Sequence, residues 1–220
     1  MCGIVAAASG KNIVPVLVEG LKKLEYRGYD SAGLAVIGSS AIERVRSTGR
    51  VAELEAASAS TSAITGIAHT RWATHGVPSE RNAHPHVSGS IAVVHNGIIE
   101  NYETLRRELT AQGYEFTSDT DTESIAHLIQ ATQKSEPDLF KAVQIACRRL
   151  VGAYAIAVID QSQPGKIIVS REGSPLLLGV SDTGNYAASD ASALLQVTRN
   201  MVYLENGDIA ELTATNVKIA

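Results

Sequence analysis

The last third of the chain is a succession of short β-like runs, and this feature constrains the fold more than any other. The runs cover residues 153–160, 166–170, 176–180, 185–188, 201–205, 208–212 and 216–219. They are separated by Gly, Pro, Asn and Asp, which favour tight turns. Strands joined by tight turns pair antiparallel. We therefore expect much of the chain to form antiparallel sheet.

Strands and helices are also predicted before this region. Short apolar runs at 4–8, 34–37, 42–46, 67–69 and 91–94 predict strands, and a hairpin is expected across residues 38–40. Apolar residues at helical spacing predict four helices, with Asn12, Asn101 and a capping box at 120–123 at the starts of the first three. Strands, then helices, then strands indicate an α+β fold with the helices segregated from antiparallel sheets.

Length, charge and cysteine content narrow the class of protein. A chain of 220 residues without a visible linker suits one large domain. The net charge of −4 and the absence of an apolar run of about 20 residues argue against nucleic-acid and membrane partners. Two cysteines, Cys2 and Cys147, form no disulfide framework. We expect a cytoplasmic protein, with Cys147 as a core residue of the fourth helix.

Cys2 follows the initiator methionine, so removal of Met1 would leave a thiol and a free α-amine on one residue. A thiol has a pKa of roughly 8.5 and an α-amine one of about 8, so the amine can accept the thiol proton and return it later. The alternative is a small apolar residue that opens a buried strand.

Arg71 and Trp72 lie in a polar segment at residues 69–76, directly after a predicted strand. Arginine binds a carboxylate through two parallel hydrogen bonds, which suits an amino-acid substrate. The alternative is a surface arginine beside a tryptophan that anchors the loop to the core.

Two other polar segments are candidates for the same site. Asn96 and Gly97 follow the predicted strand at 91–94; an asparagine amide beside a glycine N–H makes a good oxyanion pair, although Asn-Gly is also a common turn. In the segment 118–123, Thr120 and Glu123 fit a capping box. Asp121 is not needed for capping and could pair with a substrate ammonium.

Several histidines invite a metal-site interpretation, because His69, His75, His84, His86 and His95 fall within one stretch. The cysteine or carboxylate spacing of a common zinc motif is missing, so structural histidines are favoured. Glycine-rich phosphate loops are also missing. We expect no metal and no cofactor.

Five motifs in one order carry a resemblance to a known family. They are CGIV at 2–5, RGYDSAG at 27–33, HTRWATHG at 69–76, HNGIIEN at 95–101 and SDTDTE at 118–123. Together they resemble the glutaminase domains of class II glutamine amidotransferases. The residues of the motifs at 27–33 and 69–76 favour the glutamine–fructose-6-phosphate aminotransferase (glucosamine-6-phosphate synthase) branch. The resemblance covers nearly the whole chain.

The resemblance implies a fold, an activity and a set of residue roles. The fold is the N-terminal-nucleophile (Ntn) hydrolase sandwich, four αββα layers with two stacked antiparallel sheets. The activity is hydrolysis of the side-chain amide of L-glutamine to glutamate and ammonia. The implied roles are Cys2 as nucleophile with its own amine as base, Asn96 and Gly97 as oxyanion hole, Arg71 for the α-carboxylate, Asp121 for the α-ammonium, and Trp72, Thr74, His75 and Gly76 as the loop that closes over glutamine.

Full enzymes of this branch continue into two sugar-isomerase (synthase) domains that hold fructose 6-phosphate. We expect residues 1–220 to be the glutaminase domain alone, as a fragment or a free-standing glutaminase. Ammonia would reach fructose 6-phosphate, giving glucosamine 6-phosphate, only with those domains as partner. Three alternatives stay open: a glutamine-sensing module without turnover, a metal-binding protein, and a hydrolase of the same type with a different amide substrate.

Overall fold

The computed structural model describes residues 2–39 and 41–220, and these form two stacked antiparallel sheets covered by helices. The described strands are β1 (Gly3–Ser9), β2 (Ser31–Ile37), β3 (Ile42–Ser47), β4 (Thr65–Arg71), β5 (His86–Ser88), β6 (Ile91–Ile99), β7 (Gly152–Asp160), β8 (Ile167–Glu172), β9 (Leu177–Ser181), β10 (Gly184–Ala188), β11 (Met201–Tyr203), β12 (Ile209–Leu212) and β13 (Val217–Ile219). The described helices are α1 (Val14–Leu24), α2 (Val51–Ala57), α3 (Tyr102–Ala111), α4 (Thr122–Gln133) and α5 (Leu139–Cys147). Met1 and Ser40, which belong to the predicted N-terminal processing and hairpin turn, lie outside the described residues.

Strand order in the two sheets brings distant parts of the chain together. The first sheet has the order β11-β9-β10-β1-β4-β2-β3, and the second has the order β13-β12-β8-β7-β6-β5. Neighbouring strands in both orders are antiparallel. The central strands β1 and β4 of the first sheet stack on β6 and β7 of the second. The ends of β1, β4 and β6 therefore lie close to one another.

Alternation of side chains along the strands produces four layers. In β1, Val5 and Ala7 pack in the core under α1 and α2, whereas Ile4, Ala6 and Ala8 pack between the sheets. In β6, Ala92 and Val94 face the first sheet, and Ile91 and Val93 face α3, α4 and α5. A strand buried on both faces forms a continuous apolar run in the sequence, which explains why both segments are predicted as strands. The predicted α+β class with αββα layers is confirmed.

Two of the predicted helix caps are wrong. Asn101 precedes α3, but its side chain binds the Arg149 carbonyl at 2.9 Å and the Val151 N–H at 3.1 Å instead of capping the helix. The Thr120 hydroxyl is hydrogen-bonded to His86 Nε2 at 2.9 Å and to Ser118 Oγ at 3.0 Å, so it forms no capping box with Glu123. In both cases a tertiary contact replaces the local one.

Other local predictions agree in part with the structure. Asn12 Oδ1 accepts a hydrogen bond at 3.1 Å from the N–H of Val14, the first residue of α1, although Ile13 occupies the N-cap position. The long segment after β4, in which no helix or strand is predicted, carries a short 3₁₀ helix (Glu80–Asn82) and β5. Cys147 lies at the end of α5, half-buried against the helical core of the second sheet. Among residues 2–39 and 41–220, every helix is too short or too polar to cross a bilayer.

Gly33 in β2 allows the segment after β4 to lie directly on the first sheet. A Cβ at this position would come within 2.1 Å of the His84 carbonyl oxygen. We expect Gly33→Ala to lower the free energy of unfolding by about 1–3 kcal/mol, because a backbone carbonyl must move. Urea unfolding of the variant and of Gly10→Ala, where nothing lies within 4 Å of the added Cβ, measures the difference. Equal stability losses in the two variants would contradict this explanation.

Candidate active site

Cys2 lies directly before β1 and beside the end of β4. Gly3 pairs with Thr70, and the Trp72 N–H donates to Cys2 Sγ at 3.2 Å. Burial raises the pKa of the Cys2 thiol, while the Trp72 hydrogen bond and the positive charge of Arg71 act in the opposite direction. The thiol is therefore mostly protonated at neutral pH and needs a base to become a nucleophile.

Asn96 and Gly97 lie inside β6, where they pair with Ala155 and Tyr154. The turn interpretation of this Asn-Gly pair is therefore wrong. Gly97 has φ of +125°, and a Cβ there would be 2.0 Å from the Ala153 carbonyl oxygen, so only glycine fits. Asn96 Nδ2 donates to the Cys2 carbonyl oxygen at 3.2 Å. Strand β6 thus places an asparagine amide and a glycine next to the cysteine.

Arg71 ends β4 with its side chain buried beneath the following loop. Its Nη2 donates to the carbonyl oxygens of His75 and of Gly76, the latter at 2.9 Å. Among the described residues its Nη1 makes no hydrogen bond, and the nearest carboxylate oxygen, Asp30 Oδ1, is 3.6 Å away. Asp30 also accepts a hydrogen bond from the Ala73 N–H, which ties the loop to β2. A buried guanidinium with an unused N–H is suited to binding an anion.

Asp121 precedes α4 and is almost fully buried. Its Oδ2 accepts a hydrogen bond from the Ile99 N–H at 2.8 Å and lies 3.9 Å from His95 Nδ1. His95 Nδ1 is also 2.9 Å from Thr122 Oγ1. The carboxylate is therefore fixed between the end of β6 and the start of α4.

A narrow cavity of about 10 Å³ joins most of the predicted site residues. Its predicted lining residues are Cys2, Arg71, Trp72, Thr74, His75, Gly97 and Asp121. Asn96 lines an adjoining, more apolar cavity of about 470 Å³ that also reaches Cys2, Trp72 and Gly97. Gly76 joins the site through its carbonyl contact with Arg71. All nine predicted residues therefore lie at one place in the fold.

Four residues line the narrow cavity without having been predicted there: His84, His95, Thr120 and Thr122. Thr120 and Thr122 flank Asp121 in sequence, and His95 precedes Asn96, so adjacency to the predicted residues was the available signal. His84 had no such signal, because a long and irregular connection separates it from the other motifs.

The histidines behind the cavity are buried and neutral. Burial lowers the pKa of His69 and of His86 to about 3 and that of His84 well below its usual range. Burial also lowers the pKa of His95, against the attraction of Asp121. His69 and His84 stack with ring centroids 4.1 Å apart. Within the described part of the chain, no group of three or more His, Cys, Asp or Glu side chains is arranged to hold a metal ion.

Comparison with known proteins identifies the family. A family described as the glutamine amidotransferase domain matches residues 69–196. The chain belongs to this family. Glutamine–fructose-6-phosphate aminotransferases (isomerizing) from Xylella fastidiosa and Pseudomonas putida are 54% and 56% identical to the glutamine amidotransferase domain described here, over all of its length. The chain spans 36% of the length of each of these relatives. The resemblance predicted from the five motifs is confirmed.

Solved structures of related folds agree with the αββα architecture. Glutamine phosphoribosylpyrophosphate amidotransferase from Bacillus subtilis aligns with a TM-score of 0.84 at 24% identity, covering all of this chain and 49% of that one. A glutamine aminotransferase class-II domain protein from Silicibacter pomeroyi aligns with a TM-score of 0.68 at 14% identity, over all of this chain and 98% of that one. At these identities the likeness supports the fold alone.

The neutral histidine cluster predicts a loss of stability in mild acid. An unfolded histidine has a pKa of about 6.5, so below that pH the unfolded chain takes up protons that the folded chain rejects. The free energy of unfolding should fall by up to about 1.4 kcal/mol per pH unit for each buried histidine until the folded pKa is reached. Urea unfolding between about pH 7.5 and pH 5 measures this slope. His86→Gln should reduce this slope by the contribution of one histidine, and an unchanged slope would contradict the prediction.

Proposed function

We propose that this chain is a glutaminase domain that hydrolyses the side-chain amide of L-glutamine to glutamate and ammonia through a Cys2 thioester. The observation that carries the proposal is the meeting of Cys2, Gly97, Arg71 and Asp121 around one cavity, with Asn96 in the adjoining cavity and hydrogen-bonded to the Cys2 carbonyl oxygen. One buried cation and one buried anion match the two charged ends of a free amino acid. Family membership supports the same substrate.

The proposed reaction begins with proton transfer from the Cys2 thiol to the α-amine of the same residue, once Met1 has been removed. The thiolate attacks the amide carbon, so a C–S bond forms and the carbonyl oxygen becomes an oxyanion. Asn96 Nδ2 and the Gly97 N–H are the proposed donors to that oxygen, and one such donor contributes roughly 3 kcal/mol in comparable sites. Because burial raises the pKa of the Cys2 thiol, the thiol needs a base, and the α-amine of the same residue is the proposed one.

Collapse of the tetrahedral intermediate breaks the C–N bond, and the α-ammonium returns its proton to the departing amine as ammonia. Water then attacks the thioester and gives a proton to the α-amine, a C–O bond forms and the C–S bond breaks. The amine returns the proton to the Cys2 thiolate, and glutamate leaves. In this scheme Arg71 holds the α-carboxylate and Asp121 the α-ammonium of the substrate. Trp72, Thr74, His75 and Gly76 form the loop over the substrate.

Substrate entry requires this loop to move. A cavity of about 10 Å³ has room for about one water molecule, far less than glutamine needs. Arg71 Nη2 is engaged by the loop carbonyls of His75 and Gly76. We infer that opening the loop frees the guanidinium for the substrate carboxylate and that closure then holds the substrate against Cys2.

We further propose that the ammonia serves an acceptor bound by a synthase part of a longer protein. Curated relatives named glutamine–fructose-6-phosphate aminotransferase extend well beyond the matched region, since this chain spans 36% of their length. Fructose 6-phosphate is the acceptor that this name suggests, and glucosamine 6-phosphate is the product. Residues 1–220 are proposed to act as the glutaminase domain alone.

Cys2→Ala should abolish glutamate formation, with a loss of at least about 10⁴-fold, because no thioester can form. Cys147→Ala, on α5 and away from the cavity, is the matched control and should retain wild-type activity. Glutamate and ammonia are measured by coupled assays, and glutamine binding by calorimetry. Equal activity of Cys2→Ala and wild type would overturn the proposal, and binding without turnover in the wild type would favour a sensing module.

Arg71→Gln should raise the KM for glutamine by roughly 10- to 10²-fold, because a charge-assisted hydrogen bond to the carboxylate contributes about 1.5–3 kcal/mol. The matched test compares glutamine with an analogue that lacks the α-carboxylate. The kcat/KM of the wild type should be much higher for glutamine than for the analogue. The two kcat/KM values of the variant should differ little. A variant that lowers kcat/KM for both substrates by the same factor would contradict the assignment of Arg71.

A further inference from the structure

A hydrogen bond between the two sheets links a fully buried histidine to the proposed oxyanion donor. His69 belongs to β4 of the first sheet, and Asn96 belongs to β6 of the second. His69 Nε2 is 2.9 Å from Asn96 Oδ1 and also 2.9 Å from the His95 carbonyl oxygen. His69 was predicted as a structural histidine, and the reaction described above assigns it no step.

Two backbone carbonyls determine how the Asn96 amide is oriented. The His95 carbonyl can only accept a hydrogen bond, so His69 Nε2 must carry a hydrogen, and the Asn96 atom that faces it must be the acceptor Oδ1. On the other side, the Cys2 carbonyl can only accept, so the atom 3.2 Å away must be Nδ2. The NH2 group carries two hydrogens and Cys2 takes one, which leaves one N–H for an oxyanion.

We propose that His69 is a positioning residue, which acts through Asn96 by holding the NH2 group of its amide on the side of Cys2. This inference rests on the proposed glutaminase function. The terminal torsion of an asparagine is broad and roughly two-fold, so an unanchored amide also samples the flipped orientation. A flipped amide would present Oδ1 to the developing negative charge and would oppose its formation.

The surroundings of His69 suit this role. The ring is completely buried and stacks on His84 with centroids 4.1 Å apart, which fixes its plane. Burial lowers the pKa of His69 to about 3, so the ring stays neutral and adds no charge behind the cysteine. Neutrality with the hydrogen on Nε2 gives one donor directed at both carbonyl oxygens.

A double-mutant cycle tests the proposal. His69→Leu should lower kcat by roughly 10²-fold with little change in KM, and Asn96→Ala should lower kcat by roughly 10²–10³-fold. The double variant should be no slower than Asn96→Ala, because His69 acts only through that amide. His69→Gln, which keeps a donor near the Nε2 position, should recover most of the activity.

His127→Leu is the matched control, since His127 is also a buried histidine and its ring contacts Ser88, Tyr114 and Phe116 on the helical side of the second sheet. Its effect should multiply with that of Asn96→Ala. If the effects of His69→Leu and Asn96→Ala also multiply, or if His69→Gln is as slow as His69→Leu, the role of His69 is overturned. If His69→Leu does not fold, His69→Asn takes its place, because the Asn side chain is polar but too short to reach the Asn96 amide. Equal rates of the Asn and Gln variants would then overturn the role of His69. An inactive wild type would instead overturn the proposed function.

Discussion

The antiparallel pairing of β1 with β4 is the constraint on which the site depends. It sets Gly3 opposite Thr70 and brings the Trp72 N–H to 3.2 Å from Cys2 Sγ, although 70 residues separate the two in sequence. Stacking of these strands on β6 then carries Asn96 to the same edge. Because the cysteine precedes the first strand of a fully buried pair, its position is fixed by the core rather than by a surface loop.

Polar groups behind the cysteine make this edge costly for folding. Among the described residues, Arg71 Nη1, His69 Nδ1 and His95 Nε2 are buried without a hydrogen-bond partner. Each such atom costs about 1–3 kcal/mol, and four histidines are held neutral by burial. Functional sites keep such destabilising groups where a bound ligand can supply the missing hydrogen bonds. A carboxylate bound at Arg71 would supply one of them.

Most strands could be predicted from the sequence, because fully buried strands such as β1 and β6 appear as apolar runs bounded by turn residues. The layer order followed only from the family resemblance that the five motifs carry. The predicted helix caps are wrong where a tertiary hydrogen bond replaces the local capping bond, as at Asn101 and Thr120. The candidate site residues could be named from their motifs. The link from His69 to Asn96 could not, because it depends on how two sheets stack and neither residue carries a local signal for the other.

The central claim is that Cys2 is a nucleophile activated by its own α-amine. The most direct measurement is intact mass and peptide mapping after treatment with a glutamine analogue that carries an electrophilic carbon in place of the amide. We expect one adduct per chain, on Cys2, only in chains that begin at Cys2. Excess glutamine should protect Cys2 from labelling. Labelling of Cys147 instead, or equal labelling of chains that retain Met1, would contradict it.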